Sequence, residues 1–199
     1  DITISRREIS GGKVFWYENE SGTWKRHDLG ISDEKQLGAA VTDINGDGYS
    51  DLVVSRYWFE NPKVLDRFPD SAWIRKAYNG GLPEENHDIA AYDFNRDGKD
   101  EILSYSQEAG GGTLRIYSTD NPDMWSYRDV SAQVNATVNH ISRSNGVHGG
   151  FAPQGIGDLD GDKFADIVMP AGWYKNPGND PDAVWQYQPW PFITGIVPN

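Results

Sequence analysis

Cysteine is absent from the 199 residues, so no disulfide and no thiolate metal site can form. Basic residues are in short supply: 18 Lys and Arg stand against 30 Asp and Glu, for a formal charge of −12. A surface of that sign excludes a phosphate backbone as partner and disfavours an anionic membrane, so no nucleic acid is expected. No apolar run reaches the roughly 18 residues of a spanning helix, and no leader-like segment opens the chain. The chain begins with Asp1 instead of Met, which reads as a processed, trimmed or excised start. Two glycosylation-type tripeptides, Asn19-Glu20-Ser21 and Asn135-Ala136-Thr137, are short enough to arise by chance.

Glycine and aromatics are plentiful, with 22 Gly, 8 Trp and 10 Tyr. Frequent turns between flat, bulky side chains favour an all-β fold. Internal repetition then sets the architecture. The segments 43–54 (DINGDGYSDLVV), 93–104 (DFNRDGKDEILS) and 158–169 (DLDGDKFADIVM) align without gaps, their starts 50 and 65 residues apart. Trp58-Phe-Glu-Asn-Pro62 begins 15 residues after Asp43, and Trp173-Tyr-Lys-Asn-Pro177 begins 15 after Asp158. Trp16-Tyr-Glu-Asn19 is a third copy, and counting back by the same interval reaches Asp1. Asp1-Ile-Thr-Ile4 resembles Asp51-Leu-Val-Val54, with a longer turn (Arg6 to Gly12) before its tryptophan.

Such periods suit a β-propeller of four-stranded antiparallel blades. About 3.75 blades are expected: a remnant over 1–30, blades over about 36–80, 86–131 and 147–190, and an enlarged loop at 132–150. In each blade one strand precedes the acidic loop and one follows it. The third carries the aromatic motif, and the fourth starts near Trp24, Trp73, Trp125 or Trp185.

The acidic spacing has a chemical reason. A tight loop turns positions 1, 3 and 5 toward one centre, position 7 offers a backbone carbonyl, and a carboxylate at position 9 completes an oxygen cage. Hard oxygen donors in this number suit Ca²⁺ better than Mg²⁺. The expected ligands are Asp43, Asn45, Asp47, the Tyr49 carbonyl and Asp51 in the first loop. They are Asp93, Asn95, Asp97, the Lys99 carbonyl and Glu101 in the second, and Asp158, Asp160, Asp162, the Phe164 carbonyl and Asp166 in the third. EF-hands are excluded, because position 12 holds Val54, Ser104 or Met169 where a bidentate Glu is needed. Ten of the expected ligands are acidic side chains, and three bound Ca²⁺ would move the charge from −12 to −6. Gly48 and Gly98 occupy position 6, where a positive φ is expected. Lys163 occupies it in the third loop, which brings strain and an ammonium near that cage and makes it the expected weakest site.

These loops, followed by apolar strands and the Trp-(Tyr/Phe)-x-Asn-Pro motif, resemble the FG-GAP/VCBS repeat family. The resemblance implies a propeller, usually seven-bladed, in secreted, periplasmic or cell-surface proteins, with calcium loops like those of the integrin α head. It also implies carbohydrate as partner, through members that are lectins or sugar-active enzymes. Protein adhesion is a further alternative, and the rest of the propeller or a second chain would close the ring.

A working site is expected at the mouth of the channel. His87 precedes the first strand of its blade, and His140, Arg143 and His148 lie in the enlarged loop. A lyase or dehydratase acting on uronic sugars needs a cation against the carboxylate and a base for the α-proton. His87, Arg143 and His148 are the candidate catalytic residues, and His140, His148 and His87 could instead hold a transition metal. The bland alternative is a solvated loop with ordinary histidines. His27 is expected on the exposed side of strand four. Trp16, Trp58 and Trp173 are expected between blades, and the stretch Trp185 to Trp190 is a candidate for sugar stacking.

Overall fold

The structure, a computed structural model, describes residues 2–6, 12–32, 38–54, 56–63, 73–78, 86–108, 111–130, 155–169, 172–180 and 183–191. These form four antiparallel sheets and no helix. The first has three strands, β1 (Ile2–Arg6), β2 (Gly12–Glu20) and β3 (Thr23–Ser32). The second has four: β4 (Ala39–Thr42), β5 (Asp51–Val54), β6 (Tyr57–Glu60) and β7 (Ile74–Ala77). The third comprises β8 (Asn86–Tyr92), β9 (Glu101–Glu108), β10 (Gly111–Ser118) and β11 (Ser126–Asp129). The fourth comprises β12 (Ile156–Gly157), β13 (Asp166–Met169), β14 (Gly172–Lys175) and β15 (Gln186–Pro189). Each strand pairs with the next in the chain, so each sheet is a simple meander, as in propeller blades. Among the described residues the ring is not closed.

The repeat seen in the sequence is a repeat of register. Leu52 pairs with Phe59, Ile102 with Tyr117 and Ile167 with Tyr174. Ile2 pairs with Tyr17 in the same way, so the first sheet is a blade without the strand that precedes the loop. β9 and β10 run further than the apolar residues alone suggest. Ser106, Gln107 and Glu108 continue the ladder against Gly111–Thr113, because a hairpin can extend on backbone hydrogen bonds where its side chains are polar.

The cores lie between sheets. Val14 packs with Leu52, Val54 and Phe59 between the first and second blades. Val53, Trp58, Tyr78, Ile102, Tyr117 and Trp125 fill the space between second and third. Phe94, Leu103, Tyr105, Ile167, Tyr174 and Trp185 do the same between third and fourth. Consecutive blades therefore stack face to face.

The tryptophan before strand four is the recurring anchor. Trp73 meets Trp16 at 6.3 Å, Trp125 stacks on Tyr78 at 3.9 Å, and Trp185 meets Phe94 edge-on at 5.9 Å. Each reaches the preceding blade. Trp185 is thus a buried packing residue, which removes it from the sugar-stacking candidates. Trp190 is half-buried, and its Nε1 donates to the Met169 carbonyl at 3.2 Å. Trp58 is fully buried and donates to the Pro122 carbonyl of the next blade at 3.2 Å.

The exposed position expected for His27 is corrected. His27 pairs across strands with Trp16, stacks on its ring at 4.0 Å and is 8% exposed. Its Nε2 stands 3.1 Å from Glu18 Oε2. The face it shares with Trp16 is covered by Trp73 of the second blade, so a late strand position is still interior.

Replacing the buried Trp125 by Ala should cost about 3–5 kcal/mol in urea unfolding. Trp24, at the equivalent position of the first blade but 49% exposed, should cost about 0.5 kcal/mol or less.

Candidate metal centres

All three acidic loops fold alike. The position-1 carboxylate accepts amides from positions 5 and 6: Asp47 N to Asp43 Oδ1 at 3.0 Å and Gly48 N to Oδ2 at 2.7 Å. Asp93 repeats this with Asp97 N and Gly98 N, and Asp158 with Asp162 N and Lys163 N. Position 3 accepts from the amide of position 5, and position 5 from that of position 7, through Asn45, Asn95 and Asp160 and then Asp47, Asp97 and Asp162. The side-chain oxygens at 1, 3 and 5 are thereby held by the loop's own amides. The Asp158, Asp160 and Asp166 oxygens come within 4.8 Å of one another.

The backbone needs a positive φ at two positions. At position 6, Gly48 (87°) and Gly98 (93°) behave as expected and Lys163 adopts 78°. Position 4 has the same requirement: Gly46 is at 72°, Gly161 at 82° and Arg96 at 63°. The second and third loops therefore each carry one strained non-glycine residue, at roughly 1–2 kcal/mol. Strain at Lys163 does not single out the third loop, which corrects the basis for ranking it weakest.

Position 9 closes each loop from below. Asp51 is buried, accepting from Ile44 N at 3.0 Å and from Asn61 N at 2.8 Å. Asp166 repeats this with Leu159 N at 2.9 Å and Asn176 N at 2.8 Å. Glu101 accepts from Phe94 N at 2.8 Å and from the Asn95 amide at 2.7 Å. Burial raises all three carboxyls, Asp51 to about 6 and Glu101 to about 7, with the loop's other carboxylates adding to it. Burial and the neighbouring carboxylates thus disfavour the charged form of all three acids.

The Asn of the Asn-Pro motif locks the same corner. Asn61 Nδ2 donates to the Ser50 carbonyl, and Asn176 Nδ2 donates to those of Ala165 and, in the neighbouring blade, Phe94. Thr119 takes this place in the third blade, donating to the Asp100 carbonyl at 2.8 Å.

Lysines distinguish the loops. Lys63 Nζ lies 3.0 Å from Asp47 in the first. Lys175 Nζ contacts both Asp160 and Asp162 in the third, at 2.8 Å from the latter. These carboxylates raise the Lys175 ammonium, and Lys175 in turn lowers Asp162. In the second loop no lysine ammonium contacts an expected ligand side chain among the described residues, and the Asn95 amide bridges Asp97 and Glu101. The ammonium near the third cage is therefore Lys175, a residue that sequence spacing alone did not point to.

Of the catalytic trio, Arg143 and His148 lie outside the described residues, as do His140 and the enlarged loop. His87 lies in β8, with its side chain also outside what is described. A cleft of about 250 Å³ opens between the third and fourth blades, beside the second loop. Ser118, Ser126, Tyr127, Arg128 and Asn179 line it together with Glu101. The Arg128 guanidinium lies 5.7 Å over Trp185.

Residues 37–61, which run through the first loop to the Trp-Phe-Glu-Asn segment, match the FG-GAP repeat. This stretch is an FG-GAP repeat. The third and fourth blades share its strand register and loop hydrogen bonds. No curated protein matches the chain significantly.

The raised carboxyls give a pH signature in chelator. The unfolded chain releases these protons near pH 4, whereas the fold holds them to about pH 6 at Asp51 and 7 at Glu101. Their contribution to stability is therefore fully present below about pH 4 and declines as pH rises toward 7. Glu101→Gln should gain stability relative to the parent between pH 4.5 and 7 in metal-free urea titrations. A difference independent of pH would contradict the assignment.

Proposed function

We propose that this chain is a calcium-stabilised propeller segment, its ions structural, serving an extracellular protein. The observation that carries this reading is the threefold recurrence of one loop. Each copy holds side-chain oxygens at positions 1, 3 and 5 on the loop's own amides, above a buried position-9 acid. The donor set contains only oxygen, which suits Ca²⁺. Asp43, Asn45, Asp47 and Asp51 would hold one ion, and Asp93, Asn95, Asp97 and Glu101 another. The ion would supply charge balance and link the two strands that flank the loop. The protein's own part is positioning: backbone amides orient each carboxylate, and Asn61 and Thr119 tie the loop to the exit of strand three.

Calcium held by the folded chain alone stabilises it by mass action. Melting with 5 mM CaCl₂ against EDTA should show a higher midpoint with calcium. At 100 times the dissociation constant, one site is worth about 2.7 kcal/mol. Asp93→Ala should reduce the shift. An unchanged midpoint in the parent protein would refute the reading.

The partner class we attach to it is carbohydrate, favoured by the cleft between the third and fourth blades. Hydroxyls of Ser118 and Ser126, the Asn179 amide, the Arg128 guanidinium and the half-exposed Tyr127 ring are groups that pair with sugar hydroxyls and faces. Glycan-array binding that is lost in Arg128→Ala and Tyr127→Ala would support this partner. A blank array with the folded parent protein would favour protein adhesion.

A further inference from the structure

Position 18 in the loop numbering (Asp43 as 1) lies at the end of strand three, beside the acidic loop. It carries Glu60 in the second blade and Lys175 in the fourth; in the third, where the hairpin is longer, the strand register puts Ser118 in the same place. Its partner is position 3 of the loop, and the polarity of the pair reverses between blades. In the second blade the Asn45 amide donates to Glu60 at 3.2 Å, and Glu60 is held in turn by Lys76 at 2.8 Å. In the fourth, Asp160 replaces the amide and accepts from the Lys175 ammonium, which also binds Asp162. Asp160 and Asp162 are two of the three side chains that would ligate an ion from above.

The seat is the same for both cations. A Ca²⁺ bound to Asp160 and Asp162 sits about 2.3–2.6 Å from their oxygens. The Lys175 nitrogen already bridges that pair, so ion and ammonium would be in contact at like charge, whereas Lys63 in the first loop meets Asp47 and bridges no pair of ligands. The remaining acids are held by backbone amides as in the other two loops. Asp158 accepts from the amides of Gly161, Asp162 and Lys163, and Asp166 from those of Leu159 and Asn176. The loop is thus folded and its carboxylates are bridged without a metal.

We propose that Lys175 is a built-in counter-ion that takes the place of calcium in the third loop, so that the fourth blade is closed by a lysine while the first two loops take ions. This rests on the calcium reading of those two loops. It assigns a metal-excluding role to one residue, and it makes the loops unequal for a reason other than backbone strain.

The test is calcium stoichiometry by isothermal titration and native mass spectrometry on the full 199-residue chain. Parent, Lys175→Met and Lys175→Arg proteins are compared, each also melted in EDTA and in calcium. Lys175→Met should bind one more Ca²⁺ than the parent, melt lower in EDTA because Asp160 and Asp162 lose their counter-ion, and recover in calcium. Lys175→Arg should bind the parental number. An equal count in the parent and Lys175→Met proteins overturns the proposal. A parent that binds none while Lys175→Met binds one upholds the role of Lys175 and refutes calcium at the other two loops. If neither binds calcium, both readings fall. Should Lys175→Met fail to fold in EDTA, its count is taken on protein refolded in calcium.

Discussion

The buried carboxylate at position 9 of each loop is the point on which the rest of a blade hangs. Asp51 and Asp166 each take one amide from the loop above and one from the exit of strand three, while sitting at the start of strand two. One side chain thus fixes three backbone segments. Burying a carboxylate is unfavourable unless its oxygens are satisfied, and here both oxygens receive N–H donors. The Asn-Pro motif belongs to the same device, because the Asn amide donor reaches the carbonyl one residue before that carboxylate. Acid, loop and motif recur together because none completes its hydrogen bonds alone.

Much of this was legible in the sequence. Gapless spacing from Asp43 to Trp58 and from Asp158 to Trp173 fixes a hairpin register, since an insertion of one residue would flip the faces. That is why the residues repeating at positions 1, 3, 5 and 9 could be aligned before their geometry was known, while Ile2 could be matched to Leu52 by the likeness of Asp1-Ile-Thr-Ile4 to Asp51-Leu-Val-Val54. The partnership of Lys175 was hidden, because it depends on which side chain leans back from strand three over the loop. Spacing gives the ladder and leaves this lean open. The left-handed Arg96 was hidden for a related reason, since glycine marks position 4 in only two of the three copies. His27 and Trp185 looked peripheral because they lie late in their blades. Both are interior because the covering surface comes from a neighbouring sheet, which no local pattern records.

Packing follows the same logic of neighbours. Every described core lies between two blades, and none is enclosed by one blade alone. A four-stranded sheet has two faces and can fill neither by itself, so the tryptophan ahead of strand four supplies a large surface for the blade before it. Polar contacts at the interfaces then set the angle at which sheets meet.

The second loop is gripped from both sides. Thr42 Oγ1, in the second blade, donates to Asp100 Oδ2 at 2.7 Å, and Asn176 Nδ2, in the fourth, donates to the Phe94 carbonyl at 3.0 Å. Those two bonds make the loop a joint as well as a cage. In a linear array of repeats, unfolding spreads as far as the coupling between neighbours allows. Bonds that begin in one blade and end in another's loop lengthen that distance. Loosening the third blade's loop would therefore release two interfaces at once, so the three four-stranded blades share a single cooperative fate.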